Sequence, residues 1–230
     1  MAREIKKIKK GLPSVAIVVD GETEQWYIEQ VRQYYGKECP ALVGVKIKPE
    51  IPDRKKVDDL FGYAKKKLQE EFSHVILIID FDELLDPQKP KDEFEKFKKH
   101  YQNYLLAKQG GLSKNKKRAI GWMVNMTLVV NNPSLEFWYL LHRAKSNVTK
   151  FYKRFRPDLE KDLKKLPDFE DYIKNGDFYK KSPDIFSRLG GLDGLAHARG
   201  FKNQQQFDIN TCKERGVSEM ANMFDYFDTL

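Results

Sequence analysis

Cysteine is scarce in this chain, and so are the apolar segments that direct a protein to a membrane. Only two cysteines occur among 230 residues, Cys39 and Cys212, and they form no CxxC pair. This scarcity argues against a zinc site and a disulfide framework, and it fits a reducing compartment. No run approaches the roughly 18 apolar residues that a membrane span needs. The charged start of the chain leads into no apolar signal segment. We therefore expect a soluble, cytoplasmic protein without membrane contact.

Negative charge is outweighed by positive charge. The chain has 42 Lys and Arg against 34 Asp and Glu, and a formal net charge of +8 at pH 7. A basic surface attracts phosphates and suits a nucleic-acid partner. A lysine-rich surface that only contacts solvent would give the same net charge. Residues 109–118 form the best local candidate, which we interpret as a glycine-bearing basic loop that contacts phosphate or is simply solvated. Its charged residues are Lys114, Lys116, Lys117 and Arg118.

Apolar runs alternate with helical patterns along the first part of the chain. Residues 15–19 and 75–79 are continuous and rich in β-branched side chains, as is typical of buried parallel strands. Segments 42–48 and 120–130 predict two further strands. Strands that alternate with helices indicate an α/β fold with a mainly parallel sheet flanked by helices. We predict a catalytic α/β domain over residues 1–145, with a helical C-terminal region, 146–230, packed on it.

Each of three predicted strands is followed by acidic side chains. Asp20 and Glu24 follow the first run, and Asp80 and Asp82 follow the run at 75–79. The pair at 80 and 82 points to one side if the strand stays extended through Asp82. After the strand at 120–130 we predict a helix with Asn132 as its cap and Pro133 at its first position, with Glu136 in the first turn.

These five acids predict a metal site. The carboxyl ends of parallel strands meet at one edge of a sheet, where open α/β folds bind ligands. Converging carboxylates repel one another unless a cation compensates, and oxygen ligands suit Mg²⁺ or Mn²⁺. Such a site can activate water against a phosphodiester. The alternative is that each acid only caps a helix or interacts with its dipole.

Three sequence blocks resemble the signatures of the RloB family, which is similar to Toprim-fold proteins. The resemblance covers residues 14–145 and weakens beyond them. The usual first block begins with Glu, where this chain has Asp. The blocks are Asp20-Gly21-Glu22-Thr23-Glu24 with Tyr27, Asp80-Phe81-Asp82-Glu83, and Asn132-Pro133-Ser134-Leu135-Glu136-Phe137-Trp138-Tyr139-Leu140-Leu141-His142.

The resemblance implies a Toprim-like, Rossmannoid domain and a role for each acid. Asp20 takes the position of the Toprim glutamate and Glu24 that of the closing acid. Asp80 and Asp82 match the Asp-x-Asp metal pair, and Glu136 matches the acid of the third block. All five would be catalytic, and Asp80, Asp82, Glu24 and Glu136 would hold Mg²⁺ or Mn²⁺.

The resemblance also implies a function. Proteins of this kind occur in bacterial anti-phage, abortive-infection loci beside an AAA- or ABC-type ATPase. We therefore expect a metal-dependent nuclease, acting on RNA (tRNA among the candidates) or on DNA, that is a toxic effector controlled by an ATPase partner. Two alternatives stay open: a non-catalytic nucleic-acid-binding sensor or adaptor of the same kind of complex, and a primase-like nucleotidyl transferase. Assembly into a homo-oligomer is also left open.

Overall fold

Five strands form the centre of the fold, and helices cover both of its faces. The structure is a computed structural model that describes residues 14–38, 46–70, 72–86, 91–152, 155–181 and 183–230. The strands are β1 (Ser14–Val18), β2 (Lys46–Glu50), β3 (His74–Asp80), β4 (Met126–Asn132) and β5 (Val217–Ser218). Their order in the sheet is β2-β1-β3-β4-β5. The first four strands pair in parallel, and β5 pairs antiparallel with β4.

Some helices connect the parallel strands in βαβ fashion, and the others come after the fourth strand. The helices are α1 (Glu22–Glu38), α2 (Val57–Glu70), α3 (Asp82–Leu85), α4 (Lys91–Gln109), α5 (Lys114–Ile120), α6 (Leu135–Arg143), α7 (Phe155–Leu163), α8 (Gly176–Lys180), α9 (Ile185–Arg188), α10 (Gly191–Arg199) and α11 (Met220–Phe227). Helices of the 3-10 type occupy Gly121–Asn125 and Lys202–Gln204. The predicted α/β fold is thereby confirmed, and it is compatible with a Rossmann-like arrangement.

None of the helices in the described ranges combines the length and the apolar character that crossing a membrane would require.

The side chains of the central strands alternate between two apolar cores. In β1, Val15 and Ile17 enter one core, whereas Ala16 and Val18 enter the other. This alternation follows from the two-residue period of a strand, and burial on both faces explains the continuous apolar runs in the sequence. The first core includes α1, α6 and α11, and the second includes α2 and α4.

The C-terminal region contributes to the sheet as well as to the helical layers. Strand β5 extends the sheet beyond β4, which the sequence analysis did not predict. Buried aromatic residues of the region, including Phe169, Tyr172 and Phe178, share the first core with α1 and α6. The residues after 145 therefore complete a core that the earlier helices begin.

Some predicted boundaries are wrong. Strand β2 ends at Glu50 rather than at residue 48, and it includes Pro49, which the edge of a sheet tolerates. The start of the predicted strand, at 42–45, lies outside the described residues. Residues 121–125 form a 3-10 helix, so that β4 runs from Met126 to Asn132. The supposed loop at 109–118 contains the start of helix α5, Lys114–Ile120.

Candidate metal centre

Three carboxylates meet where β1 and β3 end. Asp20 lies two residues beyond β1, Glu24 lies in the first turn of α1, and Asp80 is the last residue of β3. One oxygen of each side chain lies within 4.8 Å of the corresponding oxygens of the other two. The neighbouring register of β1 and β3 causes this approach, because both strands deliver their carboxyl ends to the same edge.

Gly21 makes the approach of Glu24 sterically possible. A Cβ atom at position 21 would lie only 2.5 Å from Oε2 of Glu24. Without it, the Glu24 side chain reaches back across the turn toward the end of the strand. On the other side, the backbone N–H of Asp80 donates a hydrogen bond of 3.1 Å to Oδ2 of Asp20. Local backbone geometry therefore gathers the acids before any ligand binds.

The three acids are costly to ionise together. Burial, followed by the charge of Asp20, raises the pKa of Glu24 to about 8. Burial and the charge of Asp80 raise the pKa of Asp20 well above its usual value. Burial and the charge of Glu24 raise that of Asp80 in the same way. A bound cation would relieve both the desolvation and the repulsion.

Glu24 has an oxygen that is ready for a ligand. Its Oε1 atom is buried and accepts no hydrogen bond from any residue in the described ranges, and only 2% of Glu24 is exposed. Buried polar atoms are normally paired, so an orphaned carboxylate oxygen needs an explanation. A divalent cation held by Asp20, Glu24 and Asp80 supplies one, and the donor set fits Mg²⁺ or Mn²⁺.

A buried amide network orients Asp80. The Nδ2 atom of Asn131 donates to Oδ1 of Asp80 over 3.3 Å, and Oγ of Ser218 donates to Oδ1 of Asn131 over 2.6 Å. Asn131 lies opposite Asp80 in the register of β3 and β4, and Ser218 belongs to β5. The short C-terminal strand thus reaches the centre through one intermediate side chain.

Glu136 forms a second acidic position with its own cation. Lys174 approaches Oε1 of Glu136 to 3.0 Å and Oδ2 of Asp80 to 3.9 Å. Tyr172 donates a hydrogen bond of 2.8 Å to Oε1 of Glu136. Burial opposes the ionisation of Glu136, but Lys174 and hydrogen bonds from Ser134 and the backbone together outweigh it, so the pKa of Glu136 lies below its usual value. The pKa of Lys174 is raised, because its acidic neighbours outweigh its burial. Glu136 is therefore ionised and paired.

Asp82 does not continue the strand. Strand β3 ends at Asp80, and Asp82 begins helix α3, which corrects the expectation of an extended Asp-x-Asp pair. Oδ1 of Asp82 accepts a hydrogen bond of 2.8 Å from the backbone N–H of Glu83. The same residue lines a small pocket with Glu136 and Lys174. Asp82 therefore lies on the Glu136 side of the centre.

The predicted cap of helix α6 is also wrong. Asn132 ends β4 and its side chain donates to the carbonyls of Cys212 and Arg215. Ser134 occupies the N-cap position instead. The carbonyl of Pro133 accepts hydrogen bonds from the backbone N–H groups of Phe81 and Asp82, at 2.8 and 2.9 Å. This segment therefore fixes the turn that follows β3 rather than starting a helix.

The basic segment lies at the other end of the sheet. Helix α5 leads through residues 121–125 into Met126, at the start of β4. Asp80 pairs with Asn131, five residues further along that strand, which corresponds to about 17 Å. The structure does not bring Lys114, Lys116, Lys117 and Arg118 to the carboxylates, and their predicted phosphate contact stays a prediction.

A known family model covers nearly the whole chain. A family model described as RloB-like protein matches residues 15–226. The chain belongs to the RloB-like family. The match extends to residue 226, beyond the residues 14–145 over which the motifs alone carry the resemblance. Neither the curated proteins nor the solved structures yielded a match.

Sequence reasoning missed three residues that complete the centre: Lys174, Tyr172 and Asn131. The first two lie in a stretch without strand or helix pattern that folds back over α6. Asn131 is adjacent to the third family block, and its position at the end of a buried strand, opposite Asp80, was the available signal. Nothing in the local sequence of Lys174 distinguishes it from the other lysines.

Proposed function

We propose that this protein is a divalent-metal-dependent nuclease that hydrolyses phosphodiester bonds in RNA, with tRNA among the candidates, or in DNA. The observation that carries the proposal is the convergence of Asp20, Glu24 and Asp80, with oxygens within 4.8 Å of one another and a buried, unpaired Oε1 on Glu24. A bound cation would supply positive charge for the phosphodiester and would lower the pKa of water.

The protein's own residues prepare the site in two ways. Asn131 and the backbone at Asp80 hold the carboxylates in place before binding, which spares the reorganisation that a flexible site would need. Lys174 keeps Glu136 ionised and places a second positive charge beside Asp80. That charge lies where it can also stabilise the negative charge that grows on a phosphate during hydrolysis.

The test is cleavage by the purified full chain. tRNA, single-stranded DNA and plasmid DNA are incubated with Mg²⁺ or Mn²⁺, and the products are separated on denaturing gels. We expect cleavage by the wild type and a loss of at least about 100-fold in Asp80→Asn, because changes even to residues behind metal ligands commonly cost 10–100-fold.

The matched control is Asp193→Asn, which neutralises an exposed acid on α10 and should retain full activity. Absence of cleavage by the wild type with either metal, or equal cleavage by Asp80→Asn, would contradict a nuclease. Nucleic-acid binding without cleavage would favour the sensor or adaptor.

We further propose that the nuclease is a toxic effector of an anti-phage system and that an AAA- or ABC-type ATPase restrains it. The family is associated with defence and abortive infection. Expression of the wild type in bacteria should arrest growth, Asp80→Asn should not, and co-expression of an ATPase gene from the same locus should restore growth. Equal toxicity of the wild type and Asp80→Asn would contradict the effector role.

A further inference from the structure

Two exposed cations line the cavities beside the carboxylate centre. Lys55, in the loop between β2 and α2, lines a cavity of about 380 Å³ together with Asp20 and Asp80. It also lines a second cavity, of about 560 Å³, which contains Gly21 and Lys174. Lys55 therefore borders both cavities, of which the first contains two of the candidate metal ligands.

Arg156 also lines the second cavity. It lies in the first turn of α7 and also lines the small pocket formed by Asp82, Glu136 and Lys174. Lys55 and Arg156 are 101 positions apart in the sequence, and the fold brings them to the rim of one cavity. Lys55 borders the cavity that contains Asp20 and Asp80, and Arg156 borders the pocket that contains Asp82 and Glu136.

Neither side chain is committed to a protein partner. Both residues are exposed, and within the described ranges neither makes a hydrogen bond or an ion pair. Lys174, by contrast, is paired with Glu136. Exposed cations that border an acidic cluster but are not paired with it remain available to a ligand, and phosphate is the anionic group that the proposed reaction brings there.

An aromatic side chain lines the same cavity. Trp26 lines the same cavity as Lys55 and Arg156. It is half-buried, and its ring packs on that of Tyr179 with centroids 5.2 Å apart. A Cβ at Gly176 would lie 3.3 Å from the indole, so the glycine lets the chain pass close to the ring. Sites that bind single-stranded nucleic acid typically combine positive charges along the path of the phosphate backbone with aromatic side chains on which bases stack.

We propose that Lys55 and Arg156 bind the phosphates on either side of the scissile one, and that the substrate enters as a single strand with a base against Trp26. The inference rests on the proposed function. It assigns the phosphate contacts to these residues rather than to the basic residues of α5, which precede the start of β4, and that start is about 17 Å from the residue paired with Asp80. Single-stranded RNA and DNA share this chemistry.

The experiment compares two charge-matched double variants. Lys55→Ala/Arg156→Ala and Lys114→Ala/Lys117→Ala each remove two positive charges, and both are made in the Asp80→Asn full chain to prevent cleavage. Binding of fluorescent single-stranded RNA, single-stranded DNA and duplex DNA is measured by anisotropy over a range of salt concentrations in Mg²⁺. Thermal unfolding of each variant checks that it folds.

We expect the first variant to weaken single-strand binding roughly tenfold or more at about 0.1 M salt. Its slope of log affinity against log salt should fall by about 1.4, since each phosphate contact on a single strand contributes about 0.7. The α5 variant should change binding less than about twofold, with the slope of the parent. Trp26→Ala should weaken binding without changing the slope, because stacking releases no counterions.

Equal effects of the two double variants, a larger effect of the α5 variant, or duplex binding as tight as single-strand binding would overturn the inference. Its failure is distinguishable from that of the nuclease. If the active protein cleaves but Lys55→Ala/Arg156→Ala leaves KM and the salt slope unchanged, only the inference fails. If single strands bind as expected but no substrate is cleaved, only the nuclease fails. The relative affinities for RNA and DNA show which strand is preferred.

Discussion

Metal binding at Asp20, Glu24 and Asp80 should depend steeply on pH, because a proton on Glu24 competes with the cation. The pKa of Glu24 is raised to about 8 by burial and by the charge of Asp20. Below pH 8 the carboxyl group holds a proton that the cation must displace. For one proton and a pKa of about 8, the dissociation constant should tighten about 50-fold between pH 6 and pH 8. The raised pKa values of Asp20 and Asp80 make this a lower bound.

The change in metal affinity with pH should appear as a shift in the melting temperature, Tm. If Mg²⁺ is supplied at 100 times its dissociation constant at pH 8, it should stabilise the protein by about 2.7 kcal/mol. At pH 6 the same concentration is only about twice the dissociation constant, and the stabilisation should be about 0.7 kcal/mol. For a chain of this length, the difference of about 2 kcal/mol corresponds to about 4–8 °C in Tm.

The assay is calorimetric titration with Mg²⁺ and, separately, Mn²⁺ at pH 6, 7 and 8, supported by unfolding scans with and without the metal. Glu24→Gln should bind either metal more weakly at pH 8. Its plot of log Kd against pH should be less steep by one unit, because the competing proton on Glu24 is gone. Glu22→Gln is the matched control, because Glu22 is exposed on the same helical turn, and it should behave as the wild type. A dissociation constant equal at pH 6 and pH 8, or equal effects of the two variants, would refute the reasoning.

Two further predictions concern how the carboxylates are held. Gly21→Ala should displace the Glu24 carboxylate, because the new Cβ would lie 2.5 Å from its Oε2. This change should weaken metal binding about tenfold. The control is Gly62→Ala, which has nothing within 4 Å of its Cβ and should bind metal normally. Lys174→Met should destabilise the metal-free protein to urea by about 3 kcal/mol at pH 8. The loss of stability should be smaller at pH 5. Without Lys174 the buried Glu136 has a raised pKa, and its protonation removes the unpaired charge.

Controls for the lysine variant come from an exposed ion pair. Lys181 lies 2.6 Å from Asp171, and both side chains are about half exposed. Lys181→Met should cost less than about 1 kcal/mol. A Lys174→Met variant no less stable than this control at pH 8 would show that Glu136 does not depend on Lys174 for its charge.

The positions of most elements follow from local pattern. The buried runs at 15–19 and 75–79 indicate central strands, because only a strand covered on both faces is apolar at every position. Boundaries were less predictable. The predicted strand stopped at residue 48, yet Pro49 belongs to β2, because an edge strand tolerates a residue that has no N–H to donate. Asn132 does not cap helix α6, because its side chain instead donates two hydrogen bonds to carbonyls near the end of the chain.

The sequence by itself determined which acids follow strands, and the family blocks made Asp20, Glu24, Asp80, Asp82 and Glu136 candidates for one site. The apolar pattern of a strand is a local property, so a strand can be predicted without knowing which other strands it pairs with. Only the tertiary structure divided those acids into a set of three that could hold a metal ion and a pair beside Lys174. The approach of residues 55, 156 and 174 to the same edge depends on strand register and on how the C-terminal region packs, and these long-range contacts leave no periodic trace in the sequence.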